Sequence, residues 1–270
     1  MAATEREKSD PSSIEEIDDD GPVLTIFGHL NELRIHVTRA SMGIVVTTLI
    51  SFIFAERLLS FLIQPYAASQ PNGGFLQTLR PTEGIETYFR VSLLSGIILA
   101  MPIILFEFWR FIQPALHRHE RRYIYIFIPS ALFLFLIGIA FAWFVLAPAA
   151  IFFLANFMEE VFRSEWTSQE YISFVTRLLL WIGLAFQMPI IIYFVARLGL
   201  ITAATLRGQW RIALVVIAIL AAVITPSVDP VTMLLTMAPL TVLYFLSIGL
   251  AVIGQRQYQR ASQNLLLDSP

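Results

Sequence analysis

The 270-residue chain contains no cysteine, which excludes disulfides, thiol catalysis and thiolate metal sites together. It is also poor in charge: 14% of its residues are charged, where a soluble domain averages about a quarter. The net charge of −2 gives no basic balance that would draw nucleic acid. Motifs for covalent or nucleotide chemistry are missing too. There is no Gly-rich phosphate loop, no Gly-x-Ser-x-Gly and no His-Glu-x-x-His. The chain is therefore read as a non-enzyme. Four histidines occur (His29, His36, His117, His119), but in none of the zinc spacings, so neither a metal nor another cofactor is expected.

What is present is hydrocarbon. Some 57% of residues are hydrophobic and mean hydropathy is +0.71. The apolar residues come in long blocks, the pattern a bilayer selects. Six uncharged stretches stand out: Ala40 to Ala55, Val91 to Phe106, Tyr123 to Met158, and the intervals Arg177–Arg197, Arg211–Asp229 and Asp229–Arg256. The expectation is an all-α membrane protein of six transmembrane helices embedded in lipid. The third block would overshoot the membrane as one helix. Pro148 is therefore expected to break it, leaving Ala149 to Met158 as a cap at the outer surface. The fifth and sixth helices are expected to be short, the fifth ending at Thr225-Pro226.

Lysine and arginine placement sets the orientation. The N-terminal segment, the second and fourth loops and the C-terminal segment hold thirteen; the other three loops hold five. Both termini are thus expected in the cytoplasm. Residues 1–22 carry eight acidic side chains and read as a disordered acidic cytoplasmic tail. The six-helix domain spans 23–256, and 257–270 form a cytoplasmic C-terminal tail.

Polar residues gather on the cytoplasmic face. Phe27, Leu30, Leu33 and Val37 form one helical stripe, with Glu32, His36 and Arg39 opposite. That is an amphipathic helix at the interface, running into the first span. In the second loop, Trp109 and Phe111 suit the headgroup level, and Pro114 turns the chain. Positive-inside pressure does not explain the acids Glu32 and Glu120. They either pair locally with Arg34 and Arg121, a contact worth little at a wet surface, or accept an external ligand. Gln187, in the fourth span, is either a functional polar residue or an interhelical hydrogen bond. Thr225 and Asp229 stand near the outer end of the fifth. A small-solute transporter would need ionisable groups along a central path, and no block carries one at its centre.

Five segments bear on this. His29-Leu30-Asn31-Glu32-Leu33-Arg34 resembles the H-L-x-E-L-R signature of TatC, the multi-spanning core of the twin-arginine protein translocase. The run from Trp109 to Arg122 resembles the family's W-x-F-I-x-P-x-L-x-x-x-E-R-R segment. Pro81-x-Glu83, Gly183-x-x-Phe186-x-x-Pro189 and Thr225-Pro226 with Asp229 are similar as well, in the family's order. The resemblance implies a receptor subunit that binds paired-arginine signal peptides of folded cargo at the cytoplasmic face of the plasma (inner) membrane. It also implies transport driven by the proton gradient. It carries the binding role onto Glu32, Arg34, Phe111, Pro114 and Glu120. It implies single-span TatA- and TatB-like partners in a multi-copy complex, with Gln187, Thr225 and Asp229 as intramembrane polar or partner-helix contacts. Many relatives have a glutamate where this chain has Gln187, which removes a titratable group from that position.

Overall fold

The computed structural model describes residues 26–69, 76–113, 124–157, 166–225 and 229–267. Helix α1 covers Ile26–Ser69, α2 Glu83–Ile112 and α3 Ile124–Phe141. A π-turn over Ala142–Leu146 leads into α4, Ala147–Asn156. Then follow α5 (Ser168–Ala185), α6 (Met188–Arg197), α7 (Ala203–Gly208), α8 (Trp210–Ile224) and α9 (Pro230–Leu267). No β-strand occurs among the described residues; Gln77 and Thr167 form an isolated parallel bridge. Five helical stretches are long and apolar enough to cross a membrane, and α8 is a shorter apolar helix.

The exterior identifies the solvent. Ile53, Phe133, Phe144 and Phe152 are each at least two-thirds exposed, and many other large apolar side chains are exposed to a lesser degree. A soluble protein does not leave so much apolar surface open. Lipid covers it without penalty, because the helices satisfy their backbone groups internally. The interior is mixed: a large cluster centred on Tyr171, Ile172, Val175 and Ile182, and a second on Met101, Trp109, Phe127 and Phe135.

Small and hydroxylated residues set the helix contacts, as expected where apolar burial cannot drive association. Thr47 Oγ1 donates to the Gly96 carbonyl at 2.7 Å, and Tyr88 Oη to the Phe52 carbonyl at 2.6 Å. Both contacts bind α1 to α2. A side chain on Gly138 would come within 3.0 Å of Gly183 Cα, so α3 and α5 meet through two glycines. One on Gly254 would come within 2.6 Å of the Tyr193 carbonyl, where α6 crosses α9.

Prolines behave differently from the sequence expectation. Pro65 lies inside α1. Leu62 and Tyr66 on either side of it are buried, and Tyr171 Oη donates to the Leu62 carbonyl at 2.7 Å, so packing holds this segment helical. Pro148 does not detach an outer cap. The chain stays helical from Ile124 to Asn156, and Pro148 sits in the first turn of α4, just after the π-turn. There the Ala147 N–H reaches back to the Ala142 carbonyl, five residues away. The wider turn accommodates the neighbourhood of a residue that cannot donate. The break falls instead in the fourth span, at Phe186–Gln187 between α5 and α6. Pro189 removes the donor that would reach the Ala185 carbonyl, and Gln187 N–H turns to Leu184 at 2.9 Å.

The fifth helix is short, at 15 residues. The sixth is not: α9 runs for 38 residues, past Arg256 and through the expected C-terminal tail to Leu267. Its extension is held by Tyr193 Oη donating to Gln257 Oε1 at 2.9 Å, and by Gln255 Oε1 accepting from the Ala203 N–H at 3.3 Å.

Candidate functional site

The N-terminal turns of α1 run continuously into the first span. Their polarity is inverted relative to a soluble helix. Leu30, Leu33 and Val37 are exposed, while Glu32 and His36 are half-buried. Residues 32 and 36 are one turn apart and share a face. That face meets α2. His36 Nδ1 lies 2.6 Å from Glu107 Oε2, with both side chains largely buried. The His36 ring also meets Phe111 edge-on, with centroids 6.2 Å apart and planes at 65°. Glu32 therefore stands one turn beyond a cluster made of His36, Glu107 and Phe111.

Arg34 is exposed; two positions from Glu32, it lies off that face and is not brought into the cluster. Trp109 does not serve as an interfacial ring. It is 1% exposed, stacked on Phe127 (5.2 Å, 14°) and edge-on to Phe194 (4.9 Å, 85°). It thereby ties α2 to α3 and α6 and sets the end of α2 from which Phe111 projects. Pro114 and Glu120 lie outside the described residues, as does the acidic segment 1–22.

The three remaining polar candidates, Gln187, Thr225 and Asp229, fall in two places. Gln187, at the α5–α6 break, is 5% exposed, and its Nε2 donates to the Ala131 carbonyl of α3 at 3.1 Å. Its Oε1 is buried and accepts no hydrogen bond among the described residues. Thr225 and Asp229 flank the α8–α9 connection. Thr225 Oγ1 donates to the Ala221 carbonyl at 2.9 Å, within its own helix. Asp229 caps α9: its Oδ1 accepts from the Thr232 N–H at 2.7 Å, and Thr232 Oγ1 bonds the same carboxylate. A carboxylate at this position, followed by Pro230, is a strong helix start.

Two acids gained a role that the sequence reading did not give them. Glu107 directly follows the second uncharged stretch, which ends at Phe106. Its partner is 71 positions away, a distance over which no local spacing rule reports. Glu83, at the opposite end of α2, is 2% exposed. It accepts from the Leu79 N–H at 2.8 Å, the Gln169 N–H at 2.9 Å and Ser168 Oγ at 3.0 Å. It thus joins the 76–80 segment to the start of α5. The one available signal was its place in the Pro81-x-Glu83 pair.

Comparison with known proteins bears on this arrangement. The family model described as Sec-independent protein translocase protein (TatC) matches residues 28–239. The chain belongs to the TatC family. It is similar to the Sec-independent protein translocase protein TatC of Helicobacter pylori strain 26695, with 39% identity covering 83% of this chain and 85% of the relative. The TatC protein of Desulforapulum autotrophicum is 34% identical over 85% of each chain. A crystal structure described as the twin arginine translocase receptor TatC superposes with a TM-score of 0.78 at 35% identity, covering 84% of this chain and 99% of that one. This is a family of multi-pass translocase proteins and not of enzymes. The matched range contains every α1 and α2 residue of the cluster, as well as Gln187, Thr225 and Asp229.

Proposed function

We propose that the chain is the receptor and core subunit of a twin-arginine translocase, binding paired-arginine signal peptides at the end of the bundle where α1 begins and α2 ends. The observation that carries this reading is the inward-facing, half-buried Glu32, one turn from the His36–Glu107–Phe111 cluster. A guanidinium presents a planar fork of donors that a carboxylate accepts in bidentate fashion, most strongly where water is scarce. Phe111 offers an aromatic surface beside it. The second arginine of a pair calls for a second carboxylate, and the family motif nominates Glu120, with Pro114 turning the loop that carries it. Arg34, on the exposed face, then acts outside the immediate carboxylate pocket.

The same reading puts both termini in the cytoplasm and six helices across the plasma (inner) membrane, in keeping with the distribution of arginine and lysine. Residues 1–22, 23–256 and 257–270 remain the proposed divisions, with the last helical as far as Leu267. TatA- and TatB-like single-span subunits are the proposed partners. The buried amide of Gln187 and the Thr225–Asp229 connection are their proposed polar contacts. Transport is proposed to draw on the proton gradient, with several copies per complex.

The test is site-specific photo-crosslinking in membranes, with probes flanking Glu32 and Glu120, to a twin-arginine signal peptide. Crosslinks that vanish when the peptide's arginines become lysines support the receptor reading. Well-inserted protein that gives no such crosslinks overturns it.

A further inference from the structure

Two arginines stand away from the cluster described above, Arg90 partly buried and Arg177 exposed. Arg90 is roughly two turns into α2 and Arg177 roughly two turns into α5, counted from the end of the bundle that holds Glu83. Both belong to stretches apolar enough to span a membrane. An ionisable group at such a depth is costly and marks a binding function by default. Together they line an open cavity of about 550 Å³, with Trp166, Gln169, Ser173 and Glu170 on its walls.

The chain leaves these two charges largely to that cavity. Arg90 donates to Ser173 Oγ, a neutral acceptor. Among the described residues, neither guanidinium forms an ion pair with a carboxylate, although Glu170 lines the same space. Arg80, near the end of the bundle, behaves differently: it reaches both Glu86 and Gln169. The contrast is between an arginine settled among the chain's own groups and two that converge on space.

We propose that the Arg90–Arg177 cavity binds the phosphodiester of a membrane lipid headgroup. The chemistry fits in three respects. Paired guanidiniums match phosphate oxygens through parallel N–H donors. Long cationic side chains rooted below the interface extend toward headgroup level. Trp166 supplies the amphipathic ring that favours that level. The competing occupants are carboxylates of the chain itself: Glu170 in the wall, and Glu159, Glu160 and Glu165 in the adjoining sequence.

The test uses the full chain purified in detergent and titrated with phosphatidylethanolamine or with monogalactosyldiacylglycerol, which has two acyl chains and no phosphate. Native mass spectrometry reads the retained lipid. The expected result is a several-fold excess of phospholipid over glycolipid, lost in R90Q/R177Q and reduced but still present in R90K/R177K, which keeps the charges without the fork. Equal retention of the two lipids by the wild type means the chain's own carboxylates hold the arginines, and overturns the proposal. Inorganic phosphate that raises the melting temperature as much as the phospholipid does makes free phosphate the ligand and overturns the lipid assignment. Should the Gln variant fail to fold, a phospholipid with a photoreactive headgroup decides on the wild type. Labels within residues 166–177 support the site; labels confined to the His36 end overturn it.

Discussion

His36 Nδ1 and Glu107 Oε2 are 2.6 Å apart and join the first helix to the second across 71 positions of sequence. The contact lies where α1 begins and α2 ends, next to Phe111, and both side chains are largely buried. Removing one partner leaves the other in a site with little water, which costs about 1–3 kcal/mol. His36→Ala and Glu107→Ala are each expected to destabilise the detergent-solubilised protein. The double variant is expected to lose less than the sum of the two. A thermal-unfolding double-mutant cycle checks this, and additive effects would mean the pair carries no coupling.

Glu32→Ala is expected to weaken binding of a twin-arginine peptide. The loss is roughly 2–5 kcal/mol if the contact excludes water and under about 1 kcal/mol if it stays wet. The melting temperature should change little. A peptide titration alongside the thermal scan separates the two effects, and unchanged affinity would remove Glu32 from the site.

Gly96 packs so closely on α1 that a methyl group there would come within 2.6 Å of Thr48 Cα. Backbone cannot move aside as a flexible side chain can. Gly96→Ala is therefore expected to cost about 1–3 kcal/mol through overpacking. Gly84, with nothing near its missing Cβ, is the control. Gly84→Ala should be neutral or stabilising by up to about 1 kcal/mol through helix propensity.

Glu83→Gln keeps the size of the side chain but puts an amide among donors that now point at a carboxylate. Hydrogen bonds to a charged acceptor contribute about 1.5–3 kcal/mol each, so stability should fall by an amount of that order. Protease sensitivity near residues 76–80 should rise, while twin-arginine peptide binding at the far end should persist. Loss of binding with intact stability would contradict a purely structural role.

Gln187→Leu tests the α5–α6 break. The Gln187–Ala131 hydrogen bond is of a kind that averages about 0.6 kcal/mol within membranes, so the melting temperature should hardly move. A large loss of partner-subunit co-purification in the same variant is expected if the buried Oε1 serves a neighbouring helix.

How much of this was legible in the sequence depends on the range of the physics involved. Whether a stretch forms a membrane-spanning helix is decided locally, by apolar length against bilayer thickness, and the uncharged blocks announced the helices correctly. Glu32 and Gln187 could likewise be singled out, because each stands out against its own neighbours, whereas Phe111 was nominated by the family resemblance. Which way a residue faces is not local. The apolar stripe of Leu30, Leu33 and Val37 turned outward, and Glu32 and His36 turned toward α2. The sequence carried the stripe, but only helix packing chose its direction. Prolines illustrate the same division. Pro148 reads as a break, yet a π-turn kept the chain helical there, as tertiary contacts did around Pro65. At Pro189 the helix did open. By itself the sequence determined the solvent, the helices and the family. Tertiary structure alone decided the His36–Glu107 contact, the burial of Trp109 and the convergence of Arg90 and Arg177, because each depends on how distant helices cross.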